Sequence, residues 1–427
     1  MECRNYARVG EKLYHDVLEN GLHIYVNPKP EFGKYFAFFA TNYGGMDVRF
    51  QLNGQWHDTP EGVAHFLEHK MFDTEDGNAL QDLAANGASP NAFTSNAITG
   101  YYFECTEKFE DNLKTLLSFV SIPWFTPESV DKEQGIIGQE IRMVEDDPNW
   151  RVYMNLTDCL YKNHAIKISV IGTQESIAEI TDQTLYACHK AFYDPSNMVL
   201  CVAGNVDAEK IVEIAREILP AGNQPQIARD HGGQEPDCAA SSEAELAMDV
   251  STPLFLIGFK ADVPPEDGEG KLRQALIGEL AYEALMGPSS VLYAQLYENG
   301  LINKSFSGGY EDYPGCAFLC AGGESNDPRA VRDAVLKAAE ELNETGIDEL
   351  LWKRLKKAAY GSRVRSLNSF ENICVELAQA HFAGTEFFSF PQVYDTISKE
   401  DVEECVRRWV SEERTALSIV FPGEGER

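Results

Sequence analysis

Two histidines and one glutamate in a single short segment are the residues of this chain best suited to do chemistry. The segment DTPEGVAHFLEHKMF (58–72) contains His65, Glu68 and His69 in the order His-x-x-Glu-His. In a helix, side chains three and four residues apart lie on the same face, so these three would project together. Two imidazoles one turn apart can hold one Zn²⁺, and a carboxylate beside them can take a proton from water.

The residues around these polar groups predict that the segment is a helix. Thr59 followed by Pro60 is typical of a helix N-cap and the first helical position. On the side opposite the polar groups, the helix would present apolar residues to the core: Val63, Phe66, Leu67 and Met71. The alternative from the residues alone is a pair of surface histidines without a metal.

A catalytic zinc site needs a third protein ligand and keeps one position open. The segment TPESVDKEQGIIGQEIRMVEDD (126–147) predicts a helix on which Glu133 and Glu140, seven residues apart, share a face. One carboxylate could bind the metal while the other orients a histidine. Because the chain has 68 acidic residues, spacing alone leaves a solvated helix face as the alternative.

The order of apolar runs predicts an internal duplication. Three runs in the first half are typical of strands and alternate with helical segments: GLHIYVNP (21–28), FAFFATNYGG (36–45) and SNMVLCVAGNVD (196–207). Two runs in the second half repeat this theme: LFLIGFK (254–260) and TALSIVFPGEG (415–425). A polar stretch with little periodicity, residues 220–245, separates the halves and is typical of a linker.

These patterns predict an α+β fold of two homologous domains, each a mostly antiparallel sheet covered by helices. The expected boundaries are 1–219 for an N-terminal zinc-binding catalytic domain and 246–427 for a C-terminal domain of similar structure without a metal, with the linker at 220–245. A chain of 427 residues is long enough to bury such cores without disulfides.

Composition narrows the class of protein. The formal net charge of −32 argues against nucleic acid as a partner, since phosphate binding requires clustered Lys and Arg. Neither a signal sequence nor an apolar run of membrane-spanning length is visible, so no membrane association is expected. The ten cysteines form no CxxC pair, which indicates reduced thiols and a cytoplasmic location.

Several stretches in the first half together resemble the pitrilysin/insulinase family of zinc metallopeptidases, the inverted zincins that include the mitochondrial processing peptidases. They are GVAHFLEHKMF, SPNAFTSNAITGYYF, KEQGIIGQEIRMVEDDP, IGTQES and FYDPSNMVLCVAGNVD, all within residues 62–207. The resemblance implies that His65, His69 and Glu140 bind zinc, that Glu68 is the general base and that Glu133 supports a histidine. The gap between His69 and Glu140 is shorter than is usual in the family, which leaves Glu145 as an alternative ligand.

The resemblance also implies a substrate-binding strand at Asn91, Ala92, Phe93 and Thr94. Such a strand would pair with the backbone of a peptide substrate, so that main-chain hydrogen bonds supply affinity without requiring particular side chains. An ordinary internal strand is the alternative for the same residues.

One departure from the family concerns the second half. Active members resemble one another in an Arg and a Tyr seven residues apart around a Gly-Leu pair, but QLYENGLIN (295–303) has Leu296 and Asn303 at those positions. We therefore expect a zinc endopeptidase subunit whose homologous partner supplies Arg and Tyr, or a homodimer. The alternatives are a non-catalytic relative that serves as a binding or assembly subunit, and an unrelated metal-binding protein.

Overall fold

The computed structural model describes residues 1–423. Within this range the strands are β1 Glu2–Tyr6, β2 Glu11–Val17, β3 His23–Pro28, β4 Tyr35–Thr41, β5 Arg49–Leu52, β6 Gln55–Asp58, β7 Asp73–Thr74, β8 Gly77–Asn78, β9 Ser89–Thr94, β10 Thr99–Cys105, β11 Met198–Gly204, β12 Ile227–Arg229, β13 Glu243–Met248, β14 Leu254–Lys260, β15 Ser307–Tyr313, β16 Cys316–Glu324 and β17 Thr415–Pro422.

The α-helices of the same range are α1 Val63–Met71, α2 Ala79–Ala85, α3 Phe109–Ser121, α4 Pro127–Glu145, α5 Pro148–Leu160, α6 Gln174–Ala178, α7 Asp182–Phe192, α8 Ala208–Ile218, α9 Gly268–Leu285, α10 Val291–Glu298, α11 Pro328–Thr345, α12 Glu349–Ser366, α13 Phe370–Ala383, α14 Phe390–Thr396 and α15 Lys399–Trp409. Short 3₁₀ turns occupy Ala165–Lys167, Pro195–Asn197, Phe387–Ser389 and Glu412–Arg414.

The first compact unit comprises Met1–Ile141, Ile168–His231 and Val364–Ser389. Its seven-stranded sheet has the order β1-β2-β3-β11-β4-β10-β9. Strands β3 and β11 run parallel, and every other neighbouring pair is antiparallel. The central strands β11 and β4 are almost continuously apolar and buried, as expected for strands covered on both faces. Strand β9 lies at one edge.

The second compact unit comprises Arg142–Lys167, Gly232–Arg363 and the chain from Phe390 onward. Its five-stranded sheet has the order β13-β17-β14-β16-β15. Here β13 and β17 are parallel, and the remaining pairs are antiparallel. Strand β15 is at the edge that corresponds to β9.

The two sheets share one strand order, because β3-β11-β4-β10-β9 of the first sheet repeats as β13-β17-β14-β16-β15 in the second. The run LFLIGFK is β14 and occupies the place of β4, while the last apolar run forms β17 and occupies the place of β11. The predicted α+β fold of two similar, mostly antiparallel sheets covered by helices is therefore confirmed.

The compact units differ from the contiguous ranges 1–219 and 246–427, because each unit contains a helix from the other half of the chain. Helix α13 packs on β4 and β11 of the first sheet, where Phe370, Ile373 and Leu377 join the buried core. Helix α5 packs on β14 and β17 of the second sheet. A Cβ at Gly258 of β14 would lie 2.8 Å from Leu160 of α5, so glycine permits this close approach.

The predicted linker, residues 220–245, is not a separate connection between the units. Its residues up to His231 belong to the first compact unit, and those from Gly232 onward belong to the second. Its strand β12 pairs with β5, and β13 begins inside it at Glu243. The carboxylate of Glu235 accepts a hydrogen bond from the backbone N–H of His164 at 2.7 Å and one from Lys260 Nζ at 2.9 Å. Burial opposes ionisation of Glu235, but hydrogen bonds from Lys260 and from the backbone N–H groups of Asn163 and Lys162 outweigh it and lower its pKa.

Across residues 1–423, none of the helices combines the length and the apolar character needed to cross a membrane.

Candidate metal centre

Helix α1 carries the His-x-x-Glu-His segment, but it begins at Val63 and not at Pro60 as predicted. The N-cap is Gly62, with φ 88°, and no side chain caps the helix. Thr59 cannot be the cap because its N–H and its hydroxyl both donate to Val48 O, at 2.8 and 3.2 Å. A Cβ at Gly62 would stand 2.7 Å from Ile171 O, so glycine meets both the left-handed geometry and the tight packing.

The apolar side of α1 is buried as predicted. Its members are almost entirely inaccessible to solvent: Val63, Phe66, Leu67 and Met71. This packing fixes the opposite face, on which the imidazole rings of His65 and His69 lie 4.6 Å apart between centroids.

The side chains of His65, His69 and Glu140 converge. Within residues 1–423 they form the one group of His, Cys, Asp and Glu donors whose atoms all lie within 4.8 Å of one another. His65 Nε2 is 3.6 Å from Glu140 Oε1, and His69 Nε2 is 3.6 Å from Glu140 Oε2. Two atoms bound at about 2.0–2.1 Å to one tetrahedral ion are about 3.3–3.4 Å apart, so the spacing fits a zinc ion between them.

The protonation state of His65 suits a metal ligand. Burial, followed by the neighbouring His69, lowers the pKa of His65 to about 3. The ring is therefore neutral at pH 7 and offers a lone pair. Its Nδ1 is buried without a hydrogen-bond partner, whereas Nε2 faces Glu140. Two imidazoles and one carboxylate form a donor set that zinc accepts.

Glu133 lies behind His69, in the supporting position that the family resemblance implied. Its Oε1 is 3.0 Å from His69 Nδ1. This contact leaves His69 Nε2 directed at Glu140 and fixes the tautomer whose lone pair is on Nε2. Burial alone would lower the pKa of His69, but Glu133 and the charges of Glu68 and Glu140 raise it overall.

Glu68 is on the same face of α1 and is largely buried, with 9% of its surface exposed. Its Oε2 accepts a hydrogen bond from Thr94 Oγ1 at 3.0 Å. Burial raises the pKa of Glu68, and the hydrogen bond from Thr94 and the charge of His69 oppose that rise. Glu68 is thus a partly desolvated carboxylate with one oxygen held by Thr94.

Strand β9 contains the four residues predicted to bind substrate. Among residues 1–423 it is an edge strand that pairs only with β10, and α1 packs against it. Thr94 faces Glu68, while Phe93 points to the other side of the sheet and stacks on Phe38. The N–H of Ala92 donates to Asn91 Oδ1 at 2.9 Å. Strand β9 therefore lies at an edge of the sheet and not in its interior.

The remaining predicted positions lie elsewhere. Glu145, the alternative ligand, is exposed at the last position of α4 and does not join the cluster. Leu296 is buried in α10, and Asn303 Nδ2 donates to Glu324 at 2.8 Å. The sequence did not predict the contact between Thr94 and Glu68. The alternation of side chains along β9 could have indicated it, because Thr94 and Ala92 share the face opposite Phe93.

A buried helix that carries His-x-x-Glu-His, a second helix that supplies a carboxylate, and a duplicated sheet-and-helix fold define an inverted-zincin type of protein. Residues 52–174 match the model of the Insulinase (Peptidase family M16), and residues 179–359 match that of the Peptidase M16 inactive domain. The chain is 38% identical to the uncharacterized zinc protease YmfH of Bacillus subtilis (strain 168), over 98% of each chain. The chain belongs to the insulinase (M16) family.

Solved structures agree with this assignment. A putative M16-like peptidase from Alicyclobacillus acidocaldarius has 32% sequence identity and a TM-score of 0.93, over 97% of this chain and 99% of that one. A protease from Helicobacter pylori has 18% identity and a TM-score of 0.83, over 96% of this chain and 100% of that one, which supports the fold alone.

Proposed function

We propose that the protein is a zinc-dependent endopeptidase that hydrolyses peptides or unfolded segments. The observation that carries this proposal is the convergence of His65, His69 and Glu140 within 4.8 Å, with Glu68 beside them on α1. These three residues would hold the ion. A zinc ion bound there supplies Lewis-acid polarisation of the scissile carbonyl and lowers the pKa of water.

Glu68 performs the proton transfers in this proposal. Its Oε2 is engaged by the Thr94 hydroxyl, so Oε1 accepts the proton of the attacking water and then delivers it to the leaving amine. Partial burial favours this role, because a raised pKa brings the carboxylate closer to the range in which it can both take and give a proton.

Strand β9 orients the peptide. The substrate would add as a further strand at this open edge, with pairing to the backbone around Asn91 and Ala92. The side chain of Asn91 accepts from the Ala92 N–H, so an incoming backbone carbonyl would replace that internal hydrogen bond with an equivalent one. Main-chain pairing of this kind accepts varied sequences.

The isolated chain lacks a donor for the oxyanion at the family's usual positions. Leu296 is an apolar core residue and Asn303 is engaged with Glu324, so neither can replace Arg or Tyr. We infer that a homologous subunit that carries the Arg and the Tyr completes the site. Peptidase assays of the pure chain, with and without a homologous chain that carries the Arg and Tyr, test this inference; full activity of the pure chain contradicts it.

The experiment that tests the main proposal combines metal analysis with a peptide-library digest. The zinc-loaded protein is expected to bind one zinc per chain and to cleave internal peptide bonds, with loss of cleavage after chelation. The Glu68→Gln variant is expected to keep its zinc and to lose about a thousandfold in turnover. A variant that keeps turnover would contradict the role of Glu68. Zinc binding by a wild-type chain that cleaves no peptide, alone or with a homologous chain, would favour the assembly-subunit alternative.

We further propose that the protein acts in a reducing compartment such as the cytoplasm. All ten cysteines are free of disulfides, and eight of them are buried. Fractionation that places the chain outside the cytoplasm would contradict this location.

A further inference from the structure

Three histidine side chains meet on the face of the first sheet that helix α13 covers. His15 is on β2, His23 is on β3, and His381 is in the last turn of α13. Leu13, two residues before His15 on β2, belongs to the same buried core as α13. The rings of His15 and His23 are 5.1 Å apart between centroids, and those of His23 and His381 are 4.5 Å apart. This histidine cluster joins two neighbouring strands to the helix that packs on their sheet.

The hydrogen bonds of the histidine cluster depend on uncharged imidazoles. His15 Nε2 is 3.0 Å from His23 Nδ1, so one of these nitrogens donates a proton and the other accepts it with a lone pair. If both rings were protonated, two N–H groups would face each other and this hydrogen bond would be lost. The Tyr25 hydroxyl of β3 is 3.2 Å from His381 Nδ1 and ties the helix to the same strand.

Titratable and charged groups from every neighbouring element surround the cluster. They are Glu2 and Arg4 of β1, Asp16 of β2, Tyr25 of β3, Cys201 of β11 and Glu386 beyond the end of α13. Arg4 donates to Glu2 at 2.9 Å and to Glu386 at 2.7 Å. Asp16 Oδ1 is 3.5 Å from the amino group of Met1. These carboxylates are therefore already engaged with other positive groups, which limits how well they can stabilise charged histidines.

The ionisation equilibria agree with this geometry. Burial, followed by the charges of His23 and His15, lowers the pKa of His381 to about 4, although the last turn of a helix favours a positive charge. Burial also lowers the pKa of His23, and burial, His23 and Arg4 lower the pKa of His15. The unfolded chain therefore binds more protons than the folded one, so stability is lost as pH falls below the ordinary histidine pKa of about 6.5.

Helix α13 is the element whose attachment would change with protonation. Its core contacts include Phe370, Ile373 and Leu377, and these apolar side chains do not titrate. His381, near the C-terminal end of the helix, adds contacts with His23 and Tyr25 that do depend on pH. The attachment of α13 to the sheet thus combines a constant apolar part with a part that varies with pH.

We propose that the histidine cluster is a pH-sensitive latch, which holds α13 on the first sheet while its rings are neutral and weakens that attachment when they are protonated. Acid places positive charges within one small group of rings and removes the hydrogen bond between His15 and His23. Movement of α13 away from β3 separates these charges and exposes His381 to water. This inference goes beyond the proposed endopeptidase function and does not depend on it.

Urea denaturation of the full chain at pH 7 and pH 5 tests the latch with His381→Gln, which keeps a polar side chain without a titrating ring. For a folded pKa of about 4 and an unfolded pKa of about 6.5, His381 alone raises the unfolding equilibrium constant about twentyfold between these pH values. The variant is expected to lose that factor. Gln379→Ala, exposed on the same helix, is the matched control and should keep the pH dependence of the wild type.

Hydrogen exchange of the wild type locates the effect, and it decides the question if His381→Gln does not fold. After correction for the intrinsic exchange rate, the amides of α13 are expected to lose more protection at pH 5 than those of β11, on which α13 packs. An equal pH dependence of unfolding in His381→Gln and the wild type overturns the inference, and so does an equal loss of protection in α13 and β11. Neither measurement requires peptide cleavage, so failure of the latch leaves the proposed function standing.

Discussion

Two corners of the molecule occupy corresponding places in the duplicated sheets and differ in how their buried charge is compensated. In the first unit, α1 packs on the edge strand β9; in the second, α9 packs on the edge strand β15. Each corner also receives a side chain from a later helix, Glu140 of α4 or Arg363 of α12. The first corner collects imidazoles and carboxylates, whereas the second pairs acid with base.

The second corner contains a side-chain ion pair between Arg363 and Glu279. Arg363 donates to both oxygens of Glu279, with Nε 3.1 Å from Oε2. Asp312 of β15 lies nearby, where burial and then the charge of Glu279 raise its pKa, while Lys271 and Arg363 oppose the rise. At the first corner the only histidine with a raised pKa is His69, and the remaining acidic charge has no Lys or Arg partner among the contacts described. A divalent cation would complete that corner.

The largest effect is expected from removing the carboxylate that faces both histidines. Glu140→Gln should lower zinc affinity at least a hundredfold and peptide cleavage about a thousandfold, since a neutral amide is a poor zinc ligand. Calorimetric zinc titration and kcat/KM measure these losses. Glu145→Gln is the matched control on the same helix; a larger zinc loss there than in Glu140→Gln would make Glu145 the ligand.

A smaller loss is expected at the residue behind His69. Glu133→Gln should reduce zinc affinity or activity about 10–100-fold, because groups that orient a ligating histidine contribute in this range. Zinc titration measures the change, with Glu128→Gln in the first turn of α4 as control. Equal zinc affinities for Glu133→Gln and the wild type would show that the 3.0 Å contact with His69 Nδ1 does not contribute to metal binding.

The second corner should respond in stability and not in zinc binding. Arg363→Ala leaves Glu279 beside Asp312 without its partner, and it should lower the free energy of unfolding by about 1–2 kcal/mol, since the pair is only partly buried. Urea denaturation measures the change. Glu279→Gln in the same background should recover part of it, whereas Arg354→Ala, exposed on the same helix, should cost little. Loss of zinc binding in Arg363→Ala would contradict the expectation that the second corner does not affect the metal site.

The smallest effect concerns pH. The raised pKa of Asp312 means that the folded state favours the protonated acid, so its ionisation opposes folding above the folded-state pKa and this penalty disappears as pH falls below the unfolded value. Asp312→Asn should therefore raise the free energy of unfolding at pH 7 more than at pH 4. Urea titrations at both pH values measure the difference; an equal change at both would show that Asp312 does not titrate differently on folding.

Local patterns predicted the faces on which the residues of the first corner lie, whereas the family resemblance selected Glu140 as the ligand and Glu133 as the supporting residue. The period of α1 and the seven-residue spacing on α4 placed His65, Glu68, His69, Glu133 and Glu140 on the correct faces, because a helix fixes these directions from sequence alone. The start of α1 was predicted wrongly, since Thr59 is held by Val48 in a tertiary contact that no local signal reveals.

Longer-range features could not be predicted in the same way. The exchange of α5 and α13 depends on which of two similar sheets each amphipathic helix covers, and both sheets offer apolar faces of the same kind. The contact between Thr94 and Glu68 depends on how β9 is positioned against α1, and local sequence patterns do not determine that position.

The helix exchange also bears on how the protein can be divided. A chain cut between residues 219 and 246 would give an N-terminal fragment whose hydrophobic core lacks Phe370, Ile373 and Leu377, and a C-terminal fragment lacking α5. Neither fragment could complete its hydrophobic core. Although its two sheets share one strand order, the polypeptide is therefore expected to unfold in one cooperative transition. Truncation to a minimal catalytic module should yield insoluble protein.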